Sequence, residues 1–247
     1  MPTKPAIAAG FLGIVLGPFG LFCFAWVFIF AERAQYLSAV VAMGAAGCLL
    51  GLAALFVLVA TRKVSPRIDV ENFGTTVRPD RRLDRLLVAA SVAGFVAMVC
   101  YAVFAPLDML DIRPPRGYGR FLVGTCAVGA LVGVFSLRQI FRARGTSYLR
   151  MTVQGIETAT TMTTQERSWD EVTDVVDRKP DTRQASGAIY ILTADGRTRE
   201  LPASWYTPGG HALGEVLRFY WQHPEAREEL ADDRVVHRLE AELQNPS

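Results

Sequence analysis

The chain reads as a four-helix membrane domain followed by a soluble α+β domain, an antiparallel β-barrel or sandwich closed by a C-terminal helix. Three observations predict this class. Within the first 141 of 247 residues, the stretches 5–31, 34–61, 86–107 and 121–137 contain no charged side chain. A helix needs about 20 mainly apolar residues to cross the hydrocarbon core of a bilayer, and no soluble domain needs four such runs in succession. Charge is split along the chain: residues 1–145 carry 15 basic and 7 acidic side chains, residues 146–247 carry 11 and 17. The net charge of +2 averages two unlike halves and points to no partner. From about Ser147 onward, short alternating apolar runs punctuated by turn residues replace the long apolar stretches.

The spans are placed at about 6–30, 36–60, 86–107 and 119–141, within a membrane domain of residues 1–145. The first competes with a signal peptide, with Lys4 as the charged start and Ala31 as a cleavage site. Its 27 uncharged residues far exceed the usual apolar core of about 7–15, and a second span follows Glu32 and Arg33 at once. A retained helix fits better. The fourth run is the shortest, 17 residues between Arg120 and Arg138, and snorkelling by both arginines extends it to spanning length. Its loss would move the C-terminal domain to the opposite side.

Lys and Arg concentrate in alternate loops. Residues 62–85, the stretch after the fourth span and the N-terminus hold twelve, against four (Arg33, Arg113, Arg116 and Arg120) on the other side. Short basic loops remain in the cytoplasm, so both termini are expected inside a multi-pass protein of the cell (plasma) membrane. No Asp, Glu, Lys, Arg or His interrupts the uncharged run of any span, and Gly17-Pro18 is the only mid-span helix breaker. Transport usually needs such groups, which disfavours a channel or transporter. Each span carries a small-residue pair: Gly13 and Gly17, Gly47 and Gly51, Ala90 and Gly94, Gly129 and Gly133. Because every span has one, packing within the bundle is the simpler reading than dimerisation. Cys23, Cys48, Cys100 and Cys126 fall one per span and act as small apolar residues.

In the soluble domain, residues 148–153, 156–161, 165–169 (leading into Val172, Val175 and Val176), 188–193 and 197–201 read as strands, with turns at Gln154-Gly155 and Asp195-Gly196. Thr207 and Pro208 are suited to cap and open a helix whose apolar stripe is Leu213, Val216, Leu217 and Tyr220. His223-Pro224 ends it. Residues 225–247 then read as a charged helix and tail with Leu230, Val236, Leu239 and Leu243 on its apolar edge.

Residues 149–156 (Leu-Arg-Met-Thr-Val-Gln-Gly-Ile), 168–172 (Ser-Trp-Asp-Glu-Val), 193–197 (Thr-Ala-Asp-Gly-Arg) and 221–227 (Trp-Gln-His-Pro-Glu-Ala-Arg) carry a family pattern. With hairpins closed by one amphipathic helix, residues 146–224 resemble the pleckstrin-homology (PH)-like domains of bacterial membrane proteins. The resemblance implies a binding-module fold. Lipid-binding members use a basic loop between the first two strands. Here that loop is Gln154-Gly155, without a cation. This argues against phosphoinositide binding, as does an acidic domain facing an anionic leaflet. The expected role is recruitment or scaffolding of a protein partner at the inner face of the membrane; the alternative is a transport or channel component regulated by the C-terminal domain.

Two sets of side chains stand out as contact candidates. Arg78, Arg81, Arg82 and Arg85 lie where the chain re-enters the bilayer, placed to touch lipid phosphates and positioned for the acidic domain to dock on. Trp205 and Tyr206 could line a partner groove, although packing is the plainer role for them and for Trp169 and Trp221. Asp170, Glu171, Asp174 and Asp177 lack the glycine a calcium loop needs and read as a solvated face. His211, His223 and His237 have no zinc-ligand spacing. Arg outnumbers Lys 23 to 3, which fits codon usage; the soluble half is too acidic for nucleic acid. No nucleophile elbow, Walker loop or dinucleotide fingerprint occurs, so neither an enzyme nor a cofactor is expected.

Overall fold

A computed structural model describes residues 4–244 except 62, 72, 113, 115, 116, 144, 146, 161, 162 and 179–184, with backbone alone at 4–10, 141, 143, 185 and 186. The chain divides into two compact units. One comprises residues 9–57 and 85–142, the other residues 1–8, 58–84 and 143–247.

The first unit is built on α1 (Lys4–Glu32), α2 (Tyr36–Ala60), α3 (Arg81–Phe104) and α4 (Gly119–Ala143). Each is long and apolar enough to cross a membrane, with spans of 22, 25, 24 and 22 residues. Both Arg120 and Arg138 lie within α4, so the shortest uncharged run belongs to a helix of full spanning length. Small residues set the helix contacts. A Cβ on Gly44 would lie 2.7 Å from the Ala93 carbonyl oxygen and 2.9 Å from the Ala97 Cβ. Gly51 faces Ala90, Gly94 faces Cys48, Gly20 faces Leu50, and Gly129 and Gly133 face Met98 and Phe95. The close approaches therefore run from α1 to α2, α2 to α3 and α3 to α4. They supply the van der Waals contact that replaces a hydrophobic drive between helices in lipid. Gly17 has no such neighbour.

Two helix ends close in the same way. Gln35 N–H bonds Phe30 O at 2.9 Å and Ala34 N–H bonds Ala31 O at 3.0 Å; Met109 N–H bonds Phe104 O and Asp108 N–H bonds Ala105 O, both at 3.2 Å. In each case a non-glycine residue, Ala34 (φ 56°) or Asp108 (φ 54°), takes the left-handed position that glycine normally fills.

The second unit contains two antiparallel sheets. The first orders β1 (Arg67–Glu71), β2 (Gly74–Arg78), β3 (Tyr148–Met151), β4 (Gly155–Ala159) and β5 (Thr164–Ser168); the second orders β6 (Val172–Arg178), β7 (Ala185–Thr193) and β8 (Thr198–Leu201). Neither closes on itself. The strands of the C-terminal region follow the sequence reading, including the Asp195-Gly196 turn, where Gly196 has φ 75°.

The hairpin β1–β2 was not foreseen. It comes from the arginine-rich segment between the second and third apolar helices, and its β2 pairs with β3 in the register Thr75↔Met151, Thr76↔Arg150, Val77↔Leu149. Residues 67–71 and 74–78 of this segment, Arg78 among them, are therefore part of the sheet, while Arg81, Arg82 and Arg85 lie beyond it on α3.

One core fills this unit. Val77, Leu149, Met151, Ile156, Trp169, Val175, Ile189, Ile191 and Leu201 from the sheets meet Leu213, Val216, Leu217 and Tyr220 of α5 (His211–Gln222). Helix α5 begins later than its sequence signals indicate. Thr207 makes no capping bond; Gly209 and Gly210 adopt positive φ, and the helix starts at His211. Leu230 and, from α6 (Arg234–Gln244), Val235 and Leu239 complete the core. Val235 rather than Val236 faces fully inward. The buried Thr75 hydroxyl donates to Leu230 O at 2.6 Å, tying the hairpin to the C-terminal segment.

Candidate functional site

The four arginines singled out above occupy different settings. Arg78 is on β2, 3.6 Å from Asp69 and stacked over the Tyr148 ring at 5.3 Å. Its charge is engaged within the sheet. Arg81, Arg82 and Arg85 are in the first turns of α3, Arg81, Arg82 and Arg85 all being exposed there. That helix is capped by Asp80, whose Oδ1 accepts from Arg82 N–H at 2.7 Å and whose Oδ2 accepts from Ser65 N–H at 3.0 Å. Its own N–H reaches Trp205 O at 3.4 Å.

Trp205 is half-buried, but Tyr206 is fully enclosed and its hydroxyl donates to Ser147 Oγ at 2.9 Å. Burial pushes the Tyr206 phenol well above its ordinary pKa. No surface of Tyr206 is open to a partner, so the two residues do not form a groove. Trp169 is a core residue, its indole N–H bonded to Thr152 O at 2.8 Å, with Arg227 over its ring at 4.9 Å. Asp170 and Glu171 are exposed, and so are all three histidines. Among the described residues no three His, Cys, Asp or Glu side chains gather as a metal site.

A different site opens where the two sheets part. Strands β5 and β8 are unpaired edges, and between them lies a slot of about 290 Å³. Successive side chains of a strand alternate between faces, and the slot takes every second residue of three strands: Ile156 and Thr158 from β4, Gln165 and Arg167 from β5, Ile191 and Thr193 from β7. Arg197, Thr198 and Arg199 complete it at β8. The two isoleucines are buried and form an apolar floor beneath a polar rim.

Two side chains bridge the sheets across this slot. Arg167 of β5 meets Asp195, in the β7–β8 turn, at 3.2 Å and Glu171 at 3.9 Å. Arg199 of β8 donates through Nη1 to Thr163 Oγ1 at 3.1 Å and through Nη2 to Thr160 Oγ1 at 3.4 Å, in the turn that joins β4 to β5. Arg197 also reaches Asp195, at 3.6 Å. The hydroxyl of Thr193 and the amide of Arg197 both donate to that carboxylate and, ahead of the arginines, hold its pKa below the usual value. Arg199 alone has no carboxylate partner among the described residues, and its Nε is buried without a hydrogen bond.

The sequence contained one overlooked sign of this site. Arg199 shares the inward parity of Leu201, which is 1% exposed, so strand alternation alone directs it inward.

The helical unit has a cavity of its own, about 1240 Å³, between the turn at Ala34–Leu37 and the loop following α3. Gln35, Tyr101, Asp108, Asp111 and Arg120 are among its lining residues. Gln35 Nε2 donates to Asp111 Oδ2 at 2.9 Å, and Asp111 N–H donates to Ser38 Oγ at 2.9 Å. Gln35 Oε1 and the Tyr101 hydroxyl are buried with no partner among the described residues.

No protein-family model, curated protein or solved structure matches the chain.

Proposed function

We propose that this chain is a membrane-anchored, non-enzymatic binding module of PH-like architecture that recruits a protein partner at the inner face of the cell membrane. The meander of five and three strands with α5 laid against the second sheet supports the PH-like reading. The excess of Lys and Arg in the loops on the module's side supports a cytoplasmic placement. The observation that carries recruitment is the pair of unpaired edges, β5 and β8, across a preformed slot. An extended peptide adds to such an edge through backbone hydrogen bonds while pockets read its alternate side chains.

Trp169 N–H bonds Gln154 O. The alternation of an antiparallel ladder then turns the Glu166 amide away from β4. Glu166→Pro removes that outward donor and leaves the existing ladder bonds in place. A proximity-labelling enzyme fused after Ser247 should mark a small set of proteins with the natural chain and lose them with Glu166→Pro. An identical set from a chain truncated near Gly145 would place the function in the helices instead.

The helical cavity supports a second reading, a transport component regulated by the sheet unit. The buried Gln35 Oε1 and Tyr101 hydroxyl, without partners among the described residues, are groups that a polar solute could hydrogen-bond there. Swelling of proteoliposomes in a panel of small polar solutes, reduced by Tyr101→Phe, would favour it.

A further inference from the structure

We infer that the slot between β5 and β8 is a carboxylate-binding pocket, in which Arg199 anchors an acidic side chain of the incoming strand; the inference rests on the recruitment reading and supplies its partner chemistry. The charge balance points to a monoanion. Arg167 and Arg197 are compensated by Asp195 and Glu171, which leaves one positive charge, that of Arg199. Its Nη1 uses one of its two N–H donors on Thr163 and its Nη2 one, weakly at 3.4 Å, on Thr160, while Nε has no partner among the described residues. A planar, two-oxygen acceptor that displaces the weak Thr160 bond and uncovers the buried Nε gains the edge formed by Nε and Nη2, which a guanidinium presents side-on through two parallel hydrogen bonds. Burial lowers the Arg199 pKa, the direction expected of a cation that has lost water without gaining an anion.

The walls match such a side chain. The floor of Ile156 and Ile191 suits an aliphatic stem, and Thr158, Gln165 and Thr193 offer polar atoms around the tip. At about 290 Å³ the slot lies at the small end of ligand sites, and the Arg199 and Arg167 bridges cross it. One glutamate side chain fits this description better than a lipid headgroup or a nucleotide. A phosphoryl group would bring a second negative charge for which no free cation remains in the slot among the described residues.

The test uses the full chain in nanodiscs with ¹⁵N-labelled arginine. The Arg199 Nε–Hε resonance is assigned by its loss in Arg199→Lys, which keeps the charge but removes the side-on edge. Two blocked peptides, Thr-Val-Glu-Val-Thr and Thr-Val-Gln-Val-Thr, are titrated alongside acetate and inorganic phosphate. The glutamate peptide should shift this resonance and bind about tenfold more tightly than the glutamine peptide, and Arg199→Lys should abolish the preference. Equal binding of both peptides with the resonance unmoved would overturn the carboxylate pocket and leave recruitment standing. If acetate shifts the resonance but neither peptide binds, the pocket stands and recruitment falls. Stronger displacement by phosphate than by acetate overturns the carboxylate assignment in favour of a phosphoryl ligand, and no response to any probe overturns both readings.

Discussion

Among single residues, the half-buried Tyr148 and the buried Tyr220 of the sheet unit respond most directly to their surroundings. Burial, with a 2.6 Å hydrogen bond to Glu157, pushes Tyr148 up to about 12, and burial pushes Tyr220 up to about 12 beside Glu229 and Arg238. A phenol whose pKa is higher in the folded chain than in the unfolded one holds its proton more tightly when folded. The stability this contributes is complete below an unfolded value of 10.0 and is lost as pH rises through about 12. The urea midpoint followed by tryptophan fluorescence should therefore fall between pH 10 and 12. Tyr148→Phe and Tyr220→Phe should each flatten that fall; an unchanged slope in both would mean the loss of stability arises elsewhere.

Elements differ in how plainly they announce themselves. The four helices were legible because an uncharged apolar run of about 20 residues is long enough to cross a bilayer and rare in a soluble core. Strands β3, β4, β5, β7 and β8 were legible because Gln-Gly and Asp-Gly turns separate alternating runs, whereas β6 reads as a continuation of β5 until the short turn Trp169–Glu171 is seen between them. The β1–β2 hairpin was not legible. Its strands, Arg-Ile-Asp-Val-Glu and Gly-Thr-Thr-Val-Arg, are short and partly charged, and they sit among arginines whose strongest message concerns membrane topology. The slot was hidden for another reason: its lining is spread over four strands, and only their assembly shows that Arg199 lacks a counter-charge among the described residues. Tyr206 shows the reverse problem, since an aromatic beside a loop leaves a surface role open until the side chain is seen enclosed with its hydroxyl bonded to Ser147. In the helical unit, the contact of Gly44 with Ala93 and Ala97 makes a sharp prediction. Gly44→Leu must push α2 from α3 and should cost about 1–3 kcal/mol, read as a lower unfolding midpoint in detergent. The same substitution at Gly17, which has no neighbour within 4 Å, should leave the midpoint almost unchanged.

At the scale of the molecule, the soluble unit is discontinuous in sequence. Residues 147–244 alone would leave β3 as a bare edge, uncover Leu149 and Met151, and strand the carbonyl of Leu230 that accepts from Thr75. That fragment is expected to aggregate or bind hydrophobic dyes. Joining residues 64–80 to its N-terminus through a short flexible linker should restore cooperative unfolding. A fragment that unfolds cooperatively without the hairpin, at the same midpoint as the joined form, would show β1–β2 to be dispensable.

The register Thr75↔Met151 also imposes an order on biosynthesis. The hairpin leaves the ribosome before α3 and α4, yet its partner strand is made roughly 70 residues later, a wait of roughly 4 to 15 s at ordinary translation speeds. Throughout that interval β2 has one unclaimed edge, while two apolar helices are still being made. Arg67 and Arg78, on the first and last positions of this hairpin, then act as gatekeepers: charged strand ends that discourage premature pairing with other nascent chains until β3 arrives.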